Sequence, residues 1–598
     1  MRQPNRPGWP VHLLALLILL GTTGLTMSIG LGARDSTHTM ENVAIASAQE
    51  TWLRWHDGDA LSLYVSTNSE IRRIRKPPML VWLDMAAWSD LPPAHTPPAT
   101  LLYRARVVTV LLALVMVGSI YWCGNTLRGF RFALLAGLAG ATTLLLQRQG
   151  RTASYDIHMA AWTALAAAGA LHAIRPGRED RSRRATWVGW ATCLLGLLLA
   201  SYSKNPLPLA LNAIPGLAAV ILHHRTRLFN GLRLTLITAL AGLGVGVWYW
   251  WVFRTFPETA SSLQHELTQP RGDDAQPVWY YLGVFGLVAP WSLWLICGLI
   301  HPFTAGRRSA GGDGEPMRVH HVARWLPFIW FIAIFVLFSI PEAKQQRYIL
   351  PIIPAAALLI ANVWFDHERL SRRGERDRAI VPVIWIHWIG LLVASLAVVF
   401  LLGWPDWSAS VINRISGEDK PPVYAGAGIV PAILIGGFLL LVAMLGLWFH
   451  RRWKPYRAAL CCGVWSMAAL GANWLGYSWA ESGVHPLRAP TEALAADIGD
   501  IPIYELRTPD MDPRLGLLNE EFRFYLGRHI RRMALEDVAG HVDAGEDFFL
   551  LVRHDRIADT DLEALGLVFD REVRVDKRQK MTLWRPAPAT IPVGPESE

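Results

Sequence analysis

Six ionisable residues stand where an apolar run of the chain begins or ends: the acids Glu41 and Asp156 and the cations Lys76, Lys204, Lys344 and Arg347. A charge at the edge of a bilayer is costly unless it is paired or put to use. Grouped cations hold an anion, and phosphate suits both the ammonium point charge of lysine and the planar fork of arginine. A neighbouring carboxylate can take a proton from a hydroxyl. Lys76 lies in RRIRKPPMLVWLDMAAW, where Pro77 and Pro78 keep the backbone extended and so aim the ammonium in a set direction. Lys204 lies in SYSKNPLP, and Lys344 and Arg347 in SIPEAKQQRYILPIIP. Any one such lysine is equally well read as snorkelling to lipid headgroups. Recurrence on one side of the membrane is what favours a held anion.

The acids carry two readings each. Asp156, with His158 close by in RTASYDIHMAAW, opens an apolar run; it is either a first-turn carboxylate favoured by the helix dipole or a buried functional acid. His158 taken alone reads as an interfacial histidine. Glu41 opens ENVAIASAQETWL, a short interfacial helix, with Asp35 as a second carboxylate nearby. Asp57 and Asp59 in HDGD read as a turn. The segment PETASSLQHELTQPRGDDAQPVWYYL places His265, Glu266 and Arg271 ahead of Trp279, Tyr280 and Tyr281. It is an aromatic belt at the interface or a lid over a site, and Tyr281 and Tyr348 join His158, His265, Glu266 and Arg271 as lid or acceptor-side candidates.

These residues need a membrane scaffold to position them. With 598 residues, 52% hydrophobic and 28 Trp, the chain is too apolar for a soluble protein of several domains. About thirteen runs are of spanning length, three of them Phe132 to Leu146, Pro206 to Leu222 and Val278 to Leu299. The first run reads as a retained helix, since no convincing cleavage site follows it. Arg- and Lys-rich loops such as RPGREDRSRRA and DHERLSRRGERDR alternate with poorer ones, which puts the N-terminus in the cytoplasm. The loop of residues 32–100 then lies outside, as does the charged, alternating sequence after Trp479. The expected organisation is a membrane domain over 1–480 and a small exterior α/β domain over 481–598. The fold class is α-helical and polytopic.

All five cysteines fall in or beside apolar runs, so neither a disulfide framework nor a zinc site is indicated. The net charge of +9 is largely that of the cytoplasmic loops, which argues against a nucleic-acid partner. There is no phosphate-cradling glycine motif.

The order of these pieces resembles the GT-C membrane glycosyltransferases, in the branch of the lipid A aminoarabinose transferases and protein O-mannosyltransferases. The resemblance runs from the first span to Ala355, with RKPPMLVWL and RYILPIIPA as its most specific elements and a weaker echo at EFRFYLGRHI. It implies a polyprenyl-phosphate-linked sugar donor at the outer leaflet, and a lipid, glycan or protein acceptor; the compact size and Arg-rich cytoplasmic loops favour a bacterial inner membrane. It also implies that Lys76 contacts the lipid phosphate, that Asp156 lines the active-site cavity, and that Lys204 and Lys344 lie on the phosphate side. Met40 stands where the family carries Asp before Glu41, which leaves the role of that acid to Glu41, Asp35 or Asp156.

The implied chemistry is an inverting displacement: Lys76, Lys204, Lys344 and Arg347 hold the phosphate while Glu41 or Asp156 acts as base. Sugar transfer from a lipid phosphate has no obligatory cofactor, and a divalent cation is left open. A transporter or flippase for an anionic lipid, and an inactive scaffold, are the competing classes. Ionisable groups confined to one outer face, without an internal repeat, favour the enzyme over the transporter.

Overall fold

The computed structural model describes residues 8–36, 39–74, 76–93, 96–175, 183–222, 227–257, 259, 275–304, 317–374, 380–416, 428–479, 486–507, 519–553, 557–575 and 579–587. By its contacts the chain divides into two units. The first comprises Met1–Arg34, Arg75–Leu80 and Ala105–Gly483, and the second Asp35–Ile74, Val81–Arg104 and Val484–Glu598.

The first unit is helical. Its helices are α1 (Trp9–Ser28), most of α4 (Pro98–Arg128), α5 (Phe130–Ala141), α6 (Leu144–Gln149), α7 (Tyr155–Ile174), α8 (Arg183–Ser203), α9 (Leu207–Leu222) and α10 (Arg227–Thr255). After these come α11 (Val284–Leu287), α12 (Ser292–Thr304), α13 (Met317–Ser339), α14 (Ile353–Arg372), α15 (Val381–Gly403), α16 (Pro405–Ser416), α17 (Ile429–Arg451) and α18 (Pro455–Trp479). Among the described residues ten helices are long and apolar enough to cross a membrane. The three remaining predicted spans are those named above, and each falls short of a single helix of spanning length. Val278–Leu287 and Ser292–Thr304 form a pair bent by 114°, while α5 and α9 are shorter apolar helices. The protein is a multi-pass membrane protein.

Lipid exposure separates the helices. Along α10, Leu228, Leu232, Leu236, Leu240, Leu243 and Val247 are exposed, an apolar stripe at helical spacing that suits a hydrocarbon surround. The most enclosed spans are instead α7 and the segment Gln346–Arg372 that contains α14. Alanine and glycine explain the burial of α7. A Cβ on Gly169 would come within 2.7 Å of the Cys193 amide and the Gly189 carbonyl, and one on Gly196 within 2.7 Å of the Ala166 amide. Backbones meet directly there, the usual way helices associate without a hydrophobic drive. The contact runs α8 antiparallel to α7, which brings the end of α8 beside the start of α7.

The second unit joins the segment between α1 and α4 to the C-terminal sequence. The loop contributes α2 (Thr39–His56), a hairpin of β1 (Thr67–Asn68) and β2 (Ile71–Arg72), and most of α3 (Met79–Ala87). The C-terminal part contributes α19 (Arg488–Ile498), β3 (Ile503–Arg507), α20 (Glu520–Leu526), β4 (Arg531–Ala534), α21 (Leu535–Asp543), β5 (Phe549–Val552), α22 (Asp559–Ala564), β6 (Leu567–Arg574) and β7 (Lys580–Pro586). The sheet order is β4-β3-β5-β7-β6, with β3 parallel to β4 and β5 and the β5-β7-β6 side antiparallel. Every residue of the central strand β5 is buried. Phe549 and Leu551 enter one apolar cluster with Leu494, Phe522 and Leu583, and Leu550 and Val552 enter another with Val538, Leu562 and Trp584. This two-residue alternation is that of a strand covered on both faces.

Candidate functional site

Asp156 lies in the first turn of α7, 2% exposed. Its Oδ1 accepts a hydrogen bond from Lys204 Nζ at 2.5 Å, and its Oδ2 lies 3.0 Å from Arg347 Nε. Lys204 follows directly on the last residue of α8, where the close α7–α8 packing delivers it, and Pro206 stops that helix from continuing. Arg347 lies in a 3-10 turn, Gln346–Ile352, that leads into α14. The ring of Tyr348 is 4.5 Å from Lys204 Nζ and 5.3 Å from Arg347 Cζ, measured to its centroid. Lys76 Nζ stands 5.2 Å from the centroid of Tyr155, the residue before Asp156, and its charge acts on Asp156. All three ring contacts are of cation–π type.

Three cations therefore surround one carboxylate and leave two positive charges over. A phosphodiester carries one negative charge, and a phosphomonoester about −1.5 to −2 at neutral pH. Such a net positive charge suits a bound phosphate group of either kind.

The other predicted residues divide. Tyr348 belongs to the cluster. His158 is fully buried, with Nδ1 donating to the Ser154 carbonyl at 2.9 Å and Nε2 without a hydrogen-bond partner among the described residues. Lys344 is 3% exposed, but its ammonium donates to the Gln276 carbonyl at 2.8 Å, beside an antiparallel bridge of Ala275 with Ala343. Tyr281 is buried and its hydroxyl donates to the Gln345 carbonyl at 3.2 Å, two residues before Arg347. Both residues shape the segment that carries Arg347. His265, Glu266 and Arg271 lie outside the described residues.

Glu41 belongs to the second unit, in the first turn of α2 and 2% exposed. Asp35, the alternative acid, pairs with Arg488 Nη1 at 2.7 Å. Asp84 on α3 was not singled out by sequence, although a lone acid in the apolar run MLVWLDMAA is the signal that marks it. It is 1% exposed, and neither carboxylate oxygen has a hydrogen-bond partner among the described residues. Burial, and secondarily the charge of Glu41, raise Asp84 well above the ordinary aspartate range. Among the described residues no group of three or more His, Cys, Asp or Glu is arranged to hold a metal ion.

No family model matches the chain. Its fold, however, has a clear counterpart among solved structures. ArnT from Cupriavidus metallidurans bound to undecaprenyl phosphate superimposes with a TM-score of 0.65 at 18% identity, over 96% of this chain and 98% of that one. The apo state of the same protein gives 0.64 at 19% identity, over 97% and 99%.

The chain has the ArnT fold. A helical, polytopic membrane fold with a small C-terminal α/β part is what the sequence predicts. Among curated proteins, an undecaprenyl phosphate-alpha-4-amino-4-deoxy-L-arabinose arabinosyl transferase of Edwardsiella ictaluri (strain 93-146) is 26% identical over 382 residues, 60% of this chain and 61% of the relative. A namesake from Sodalis glossinidius (strain morsitans) is 28% identical over 273 residues, 43% of this chain and 44% of the relative. The chain thus matches less than two thirds of the length of these curated relatives.

Proposed function

We propose that the protein is a membrane glycosyltransferase that moves a sugar from a polyprenyl-phosphate donor to an acceptor hydroxyl at the outer face of a bacterial inner membrane. The observation that carries this reading is the group of Lys76, Lys204 and Arg347 around Asp156. In the reaction the acceptor oxygen bonds to the anomeric carbon as the bond from that carbon to the phosphate oxygen breaks, and the electron pair leaves on the phosphate. The three cations bind this group more strongly as its charge grows, so their contribution is greater in the transition state than in the ground state.

The acceptor's proton goes to Glu41 or Asp156. The pairing of Asp156 with two cations suits it to orienting them and favours Glu41 as the base. The orientation that fits the basic loops has the N-terminus in the cytoplasm and residues 481–598 outside as an exterior domain. The names of the curated relatives supply the donor to test first, undecaprenyl phosphate-alpha-4-amino-4-deoxy-L-arabinose, and the resemblance supplies lipid A as the first acceptor. The experiment is release of undecaprenyl phosphate from that donor by the purified protein, beside Lys76→Ala. Turnover that the variant loses supports the reading, and donor bound without turnover in the wild type overturns it.

A further inference from the structure

The C-terminal part of the second unit reaches the first exterior loop through charged side chains that are mostly buried. Arg523 on α20, 7% exposed, donates from Nη1 to Glu50 Oε2 on α2 at 3.1 Å and from Nη2 to Asn68 Oδ1 on β1. Glu50 in turn accepts the backbone N–H groups of Ser69 and Glu70, each at 2.8 Å. Those two residues form the tip of the β1–β2 hairpin with φ of 52° and 60°. Two positive φ values in a two-residue hairpin loop are the geometry that Asn-Gly adopts readily, whereas other residues there cost about 1–3 kcal/mol each. Such a turn persists only where its surroundings hold it. Here they do so from both sides, because the Glu70 carboxylate accepts the Arg532 N–H at 3.3 Å and lies 3.6 Å from His529 Nε2. Farther along α2, Asn42 donates to Glu521 of α20, and Asn42 is the neighbour of Glu41.

We infer that the C-terminal domain is a positioning element of the transfer reaction: Arg523, through Glu50, fixes the register of α2 with Glu41 and of the hairpin whose second strand leads on to Lys76. This rests on the sugar-transfer reading above. Arg523 touches no substrate in this account and acts through the loop. A misplacement of about 1 Å in a reacting group can lower a rate about 100-fold, and removing one partner of a buried ion pair leaves the other uncompensated.

The test uses full-length protein in lipid nanodiscs, as wild type, Arg523→Ala, Arg523→Lys, Glu50→Gln and the Arg523→Ala/Glu50→Gln double variant. Two quantities are read: amide hydrogen exchange over residues 39–74, and kcat and KM for an undecaprenyl-phosphate sugar donor. Arg523→Ala is expected to speed exchange in α2 and the hairpin while α7 and α14 stay protected. It is also expected to lower kcat about 10- to 100-fold with KM changed less than about twofold. Arg523→Lys recovers part of kcat, and the double variant is no worse than the poorer single one. Unchanged exchange and kcat in Arg523→Ala, or additive losses in the double variant, overturn the inference. If the wild type transfers no sugar, the sugar-transfer reading has failed, and the exchange data still decide whether Arg523 holds the loop.

Discussion

Lys204 and Arg347 share the two oxygens of Asp156, Lys204 Nζ at 2.5 Å from one and Arg347 Nε at 3.0 Å from the other. The carboxylate joins the end of α8 to the segment before α14, and each cation keeps a face turned to Tyr348. In the proposed reaction an acid so engaged organises the cations. Asp156→Asn should therefore lower kcat about 100-fold or more while leaving affinity for undecaprenyl phosphate equal or higher, because positive charge increases as its geometry is lost. Parallel turnover and lipid-binding titrations check the split.

Lys76→Ala should discriminate between donor and product. Removing one of three cations weakens a phosphomonoester more than a phosphodiester, since the former carries about −1.5 to −2 charge at neutral pH. Binding of free undecaprenyl phosphate should weaken about 10- to 100-fold, the loss expected for a hydrogen bond to a charged group. The effect on donor affinity should be smaller. Binding titrations with the two lipids measure this directly.

Gly196→Ala should impair transfer from within the membrane. The new Cβ would sit 2.7 Å from the Ala166 amide and 2.9 Å from the Trp162 carbonyl, backbone atoms that move only with their helix. The helices separate, and Lys204, just beyond the end of α8, shifts away from Asp156. A stability loss of about 1–3 kcal/mol and a fall in kcat are expected, read by thermal unfolding and by turnover. Gly246→Ala on α10, where a Cβ meets nothing, is the control.

Asp84 predicts a pH dependence of stability. Its raised folded value means that the native state holds a proton the unfolded chain has lost, so stability falls as pH rises from about 3.9, the unfolded value, through the folded one. Asp84→Asn cannot ionise and should be more stable than wild type on the alkaline side of that window, with the difference vanishing in acid. Because Glu41 contributes to the shift, Glu41→Gln should move the wild-type transition to lower pH. Unfolding midpoints across pH for the three proteins check both.

Much of this architecture was legible in the chain because a membrane imposes length and hydropathy on every span. The thirteen predicted runs all correspond to apolar helical segments, and the three irregular ones are those in which a bend or a short helix replaces a straight span. Lys76, Asp156, Lys204 and Arg347 stand out in the sequence because charges at span edges are conspicuous, and the structure places these four near one another. Lys344 looked the same in sequence, but only the fold reveals that a backbone carbonyl takes its ammonium. The pairing of Arg523 with Glu50 was invisible for the opposite reason. Charged residues on polar helices look like solvated faces, and the two stand 473 positions apart in the chain.

The most direct test of the account is the release of undecaprenyl phosphate from undecaprenyl phosphate-alpha-4-amino-4-deoxy-L-arabinose by purified protein, compared with Lys76→Ala and Asp156→Asn, with lipid A as acceptor. The account predicts stoichiometric release of undecaprenyl phosphate and glycosylated acceptor by the wild type, and loss of both in the two variants. Release that persists undiminished in both variants, or donor that binds the wild type and is never cleaved with any acceptor, would contradict it.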